Sequence, residues 1–213
     1  MTLKDLILHE RNISLIYFLP LLSYIVYYFA RANVDGIREF IPLRLLMILL
    51  VAVELLLVIL PTVSAVAGLK RKTIRKVPAV LIILTPTLIL LYYIFMATVG
   101  GGIGRFTLVD CTTMIFHFAV PLSILYGFAA FAVRSKTANA KAAKVLGVLH
   151  ALAGAGMTFF YYKIYNTVQA YDYGIPIPDV WYYSPESLLI GYGIWALLGA
   201  AAGILMLTDK TKS

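Results

Sequence analysis

Residues Leu45–Leu69, LLMILLVAVELLLVILPTVSAVAGL, decide the fold class, because Glu54 is the only charged residue in the run. A helix rises about 1.5 Å per residue, so this segment reaches across a hydrocarbon core of about 30 Å. Of the 213 residues, 62% are hydrophobic and 13% charged, with a mean hydropathy of +0.90. A water-soluble domain of this length has too little interior to hide so much apolar surface. The sequence reads as all-α: a polytopic integral membrane six-helix bundle forming a single transmembrane domain, with no room for a separate soluble one.

Six apolar segments carry that expectation: Ile13–Ala30, Leu45–Leu69, Val77–Gly104, Cys111–Val133, Val145–Val168 and Leu188–Leu207. The first begins after a polar start and runs into YIVYYFARAN without a small-residue cleavage site, so it reads as a span and not as a signal peptide. Tyr24, Tyr27 and Tyr28 form an aromatic cluster toward its outer end.

Lys and Arg choose the orientation. With the N-terminus in the cytoplasm, 13 of the 18 basic residues fall on the inner side, in the segments around Lys4 and Arg11, Lys70–Lys76, Arg134–Lys144 and Lys210–Lys212. Arg31, Arg38, Arg44, Arg105 and Lys163 fall on the outer side. The alternation places both termini in the cytoplasm and the protein in the plasma membrane. The net charge of +8 is thus a topology signal, and the KRKTIRK run is a membrane anchor that meets anionic lipid heads; no nucleic-acid partner is expected.

A single cysteine, Cys111, excludes an intramolecular disulfide and any paired-Cys metal or redox motif. His117 lies roughly 9 Å deep from the outer side and His150 belongs to the inner half, roughly 14 Å away along the membrane normal. That spacing disfavours a shared haem, and no cofactor or metal is expected. The outer loop QAYDYGIPIPDVWYYSPES is acidic, aromatic and proline-held. It reads either as an aromatic belt at the headgroups or as a lid over an outward cavity. In the last span, Gly191, Gly193, Gly199 and Gly203 read as a close-packing face, open to helix–helix oligomerisation.

The candidate site is DCTTMIFHFAVP, Asp110–Pro121. On a helix Asp110, Thr113, His117 and Pro121 share one face, and a polar stripe in an apolar span has to face protein or water. Thr113 and His117, four residues apart, are within hydrogen-bonding reach, as base and hydroxyl nucleophile require. Asp110 is two turns from His117, too far to complete a triad along one helix, so further partners have to come from other spans. Depth counting nominates Lys163, at roughly 8 Å, with Tyr162 beside it, and Glu54, at roughly 14 Å. Glu54 reads as a carboxylate on a water-filled path or as a partner of Lys163 or His117; Lys163 also reads as a snorkelling side chain. The bland alternative for the stripe is a Thr113 hydroxyl bonded back one turn and a His117 that packs through an interhelical bond.

The order His, then Pro four residues on, then a run into a basic loop, in IFHFAVPLSILYGF, resembles the androgen-induced/androgen-dependent transmembrane hydrolase superfamily, nearest its bacterial Pr6Pr-like membrane proteins. YGIPIPD followed by Gly191–Tyr192–Gly193 is similar to the family's turn before the last span. The resemblance covers the second half of the chain. It implies a six-span bundle and hydrolysis of fatty-acid esters by a threonine and a histidine on separate spans. His117 matches the histidine. The matching threonine belongs early in span two, where FIPLRLLMILLVAVELL has neither Thr nor Ser.

Together these readings give an outward-facing polar pocket, with His117 and Thr113 as catalytic candidates and Glu54, Lys163, Asp110 and Tyr162 as substrate-binding candidates. The expected activity is hydrolysis of a lipid or fatty-acyl ester. The competing expectation is a non-catalytic component that binds or transports a small molecule or lipid.

Overall fold

The computed structural model describes residues 2, 5, 9–34, 41–99, 119–172 and 185–209. A 3-10 helix (Glu10–Phe18) leads into α1 (Leu19–Val34), followed by α2 (Ile41–Lys70), α3 (Lys76–Val99), α4 (Ala119–Ala132), α5 (Ala138–Asp172) and α6 (Pro185–Leu207). Among the described residues there are six α-helices and no strand, only an isolated bridge between Ile74 and Val133.

The surface is inverted relative to that of a water-soluble protein. Ile48, Leu152 and Leu197 are 66%, 65% and 64% exposed, while Ser14, Ser23, Ser64, Ser123, His150 and Thr158 are buried. Exposed aliphatic side chains continue along α2, α3, α5 and α6, far beyond the isolated patches that water tolerates. Ile48–Lys70, Ala138–Phe159 and Ile190–Leu207 are long and apolar enough to cross a membrane, and Lys76–Leu88 and Val120–Ala132 are shorter apolar helices. Hydroxyls within the helices are satisfied locally: Ser23, Thr62, Thr87, Thr158 and Thr208 each donate to the carbonyl four residues back. Backbone-bonded hydroxyls of this kind are compatible with hydrocarbon.

The first apolar segment is a composite and not a single α-helix. Its 3-10 helix is nine residues long, well beyond the usual single turn. Three residues per turn align Ile13, Ile16 and Leu19 on one line, and all three are buried, as are Asn12, Ser14 and Tyr17. The His9 imidazole caps the start by accepting from the Arg11 amide. This short helix packs against α2, α4 and α6 and so lies inside the bundle.

Glycines set the closest approaches. A Cβ on Gly127 would meet the Gly147 carbonyl, and one on Gly147 would meet the Tyr17 hydroxyl, so α4 and α5 cross backbone to backbone with Tyr17 at the crossing. The Tyr17 hydroxyl accepts there from the Ala130 amide at 3.1 Å. In α6, Gly199 faces His150 and Tyr17, Gly203 faces Phe18, and Gly191 faces Met157. Those three glycines pack within the chain, whereas nothing lies within 4 Å of a Cβ placed on Gly193.

At one end the chain is tied off. α2 stops in a Schellman turn, with Thr73 donating to the Gly68 carbonyl at 3.0 Å and Lys72 to that of Leu69 at 3.2 Å. Lys72 takes the left-handed position at φ 58°, where glycine is usual. Ile74 turns in over Gly68, and the Arg75 amide donates to the Ala132 carbonyl at 3.2 Å. Thr137 caps α5 through the Ala140 amide at 3.2 Å and donates its hydroxyl to the Asp209 carboxylate at 2.5 Å. The Arg11 guanidinium donates to the Asp209 backbone oxygen at 2.9 Å. The segments around Arg11, 70–76, 133–144 and 208–209, which the charge pattern groups together, thus meet at one end of the bundle.

Candidate functional site

Asp110, Thr113 and His117 lie outside the described residues. Tyr162 and Lys163 lie on α5, about 18 Å along the helix from His150, with their side chains outside the described part. Glu54 is the one sequence-nominated site residue whose side chain is placed.

Glu54 sits on α2 between outward-facing Val53 and Leu55 and turns inward to α1. Its Oε1 is 2.5 Å from the Ser23 hydroxyl, which also lies 2.8 Å from the Leu19 carbonyl. A serine hydroxyl has one proton to give and can accept through its lone pairs. If that proton serves Leu19, the second contact draws its proton from the carboxyl group of Glu54 in its acid form. The Tyr126 hydroxyl is within electrostatic range of both Glu54 and Tyr192.

Against Tyr126 lies a fully buried imidazole. His150 on α5 is 0% exposed, and its Nδ1 donates to the Trp195 carbonyl on α6 at 2.8 Å. A carbonyl only accepts, so this bond fixes the Nδ1–H tautomer and leaves the Nε2 lone pair free. The imidazole stacks on the Trp195 indole at 5.2 Å between ring centroids and 13° between planes. Tyr126 closes a second side at 5.3 Å and Tyr17 meets the ring edge-on at 6.0 Å. Tyr192 rests on Trp195 at 5.1 Å and on Tyr24 at 5.4 Å, which carries the aromatic layer to α1. His150 Nε2 and Trp195 Nε1, a lone pair and an N–H, are both buried and without a hydrogen-bond partner among the described residues.

Sequence reasoning set His150 apart as an inner-side residue. α5 begins at Ala138, so His150 stands about 18 Å along that helix, and its ring is enclosed by Tyr17, Tyr126 and Trp195. The signal that marks it is local: Gly147, His150 and Gly154 are spaced three and four apart, which places two glycines on the histidine's own face. A Cβ on Gly154 would collide with Ser123 and approach the Trp195 indole. Tyr24, in the aromatic cluster of the first span, packs its ring on Tyr192 of α6.

The arrangement offers a carboxyl with its hydroxyl partner and, across a tyrosine, an imidazole with a free basic nitrogen beside an indole donor. Among the described residues no group of three or more His, Cys, Asp or Glu converges as a metal centre would require. No family model, no curated protein and no solved structure matches the chain.

Proposed function

We propose that this chain is a six-span plasma-membrane protein, with both termini cytoplasmic, that takes a small hydrophobic or acyl ligand into a polar pocket among its helices. The observation that carries the reading is Glu54. A carboxyl group on a lipid-facing helix is costly in hydrocarbon, and turned inward onto Ser23 it supplies a polar anchor beside an aromatic wall. The orientation is supported by the gathering of the basic chain segments at one end. On this reading Lys163, Tyr162 and Asp110 select the ligand on the outer side. The open face of α6 at Ile190, Gly193, Ile194 and Leu197 is free for lipid or for a second copy. The test is thermal stabilisation of the purified protein by fatty acids, monoacylglycerols and fatty-acyl esters. Stabilisation lost in Glu54→Leu supports the pocket; an equal shift in parent and variant removes Glu54 from it.

The catalytic version of this reading rests on the resemblance at IFHFAVP. His117 acts as base, taking the proton of the Thr113 hydroxyl or of a water as the oxygen attacks the ester carbonyl carbon. The protonated imidazole then gives that proton to the departing alkoxide; where Thr113 is the nucleophile, a water activated by His117 in the same way then cleaves the acyl–Thr113 ester and restores the hydroxyl. Covalent labelling by a serine/threonine hydrolase probe tests it. Labelling that persists unchanged in both His117→Ala and Thr113→Ala sinks the catalytic version and leaves binding.

A further inference from the structure

The short helix α4 packs against α3 on one side and α5 on the other. Between these neighbours it presents a strip of apolar side chains: Pro121, Ile124 and Phe128 are exposed, and Phe131, in ring contact with Phe128 at 6.2 Å, is half-buried. The spacing of three and four residues makes this one continuous face. The flanking helices also carry exposed apolar side chains, among them Val77 on α3 and Val145 on α5.

The strip ends at two cations. The Lys144 ammonium lies 5.5 Å from the Phe131 ring centroid, over its face. Arg75, just before α3, is held at the same end by the hydrogen bond its amide donates to the Ala132 carbonyl and by the Ile74–Val133 bridge. Arg75 and Lys144 are thus both tied to the same end of α4, at Ala132 and at Phe131. Neither has an acidic partner among the described residues, where the Asp209 carboxylate is engaged by Thr137. Holding two like charges together at the rim of a hydrocarbon surface costs free energy unless an anion lies between them. An anion with an apolar tail meets both halves of the arrangement.

We propose that the α3–α4–α5 face binds one anionic phospholipid, with its phosphate between Arg75 and Lys144 and an acyl chain along Phe131, Phe128 and Ile124. The site rests on the membrane reading but is independent of the Glu54 pocket. A zwitterionic headgroup fits less well, because its ammonium adds a third positive charge. A free phosphate leaves the aromatic strip uncovered.

The test is a lipid titration of the full chain, purified in neutral detergent, with bound lipid counted by native mass spectrometry. Phosphatidylglycerol is expected to be retained in preference to phosphatidylcholine. Arg75→Gln and Lys144→Gln should each weaken that retention about fivefold, the effect of one basic residue at a membrane surface. Phe128→Ala should weaken retention of both lipids. Glycerol phosphate, which has the headgroup without the tail, should not compete. Equal retention of the two lipids, an unaffected Arg75→Gln/Lys144→Gln double variant, or competition by glycerol phosphate as strong as by lipid would each overturn the site. A chain that stays in solution without detergent would instead overturn the membrane reading, and this is seen before any lipid is added.

Discussion

His150 and Trp195 are joined twice, by a hydrogen bond of 2.8 Å from Nδ1 to the main-chain oxygen and by ring stacking at 13°. That double contact couples α5 to α6 at the level where Tyr17 and Tyr126 also meet the imidazole. His150→Ala removes the bond and opens a cavity among three rings. The expected loss is about 2–4 kcal/mol, read as a lowered unfolding midpoint in detergent. His150→Phe keeps the stacking and should lose markedly less.

Trp195→Phe tests the other half of the pair. The indole N–H is a buried donor without a partner among the described residues, so deleting it relieves a desolvation cost of about 1–3 kcal/mol. That relief offsets the cavity left by the smaller ring. The variant should melt close to the parent and above His150→Ala; a midpoint below that of His150→Ala would show that the N–H is bonded.

The hydrogen count at Glu54 separates two substitutions. Gln presents an amide N–H to Ser23 where the acid form presents an O–H, so Glu54→Gln should be within about 1 kcal/mol of the parent. Glu54→Ala leaves Ser23 and a cavity behind and should cost about 2 kcal/mol or more. An infrared carboxylic-acid band that disappears in Glu54→Gln is the direct check; its absence from the parent would mean an ionised carboxylate.

Gly147→Val probes the helix crossing. Its first carbon would press on the Tyr17 hydroxyl and the Gly127 carbonyl, so the expected penalty is about 1–3 kcal/mol of overpacking. Gly193→Val, with open space around it, should leave the melting midpoint unchanged. If the two behave alike, the crossing is looser than the geometry states.

Helical membrane character was legible because it depends on composition and run length, which the stretch around Glu54 displays without any tertiary information. The grouping of basic segments was legible for a similar reason, since charge excluded from hydrocarbon collects at chain turns. Two features were not. The 3-10 start of the first span depends on the packing of Ile13, Ile16 and Leu19 against other helices, and periodicity in a wholly apolar run does not distinguish three residues per turn from 3.6. The enclosure of His150 by Tyr17, Tyr126 and Trp195 depends on how α4, α5 and α6 pack, which no single run of sequence states. For Thr113, the back-bonding of Ser23, Thr62, Thr87 and Thr158 gives the bland alternative a concrete form in this chain.

The placement of Tyr17 has a consequence for biogenesis. It lies on the 3-10 helix that precedes α1, yet its neighbours include Ala130, His150 and Gly199, the last on α6. Insertion can deliver the spans one at a time, but the centre of the bundle closes only after α6 has left the ribosome. Until then the buried hydroxyl and amide groups of the 3-10 helix have no finished enclosure. Chains arrested before α6 should therefore be open to quality-control proteases, and co-expressed α6 should protect them.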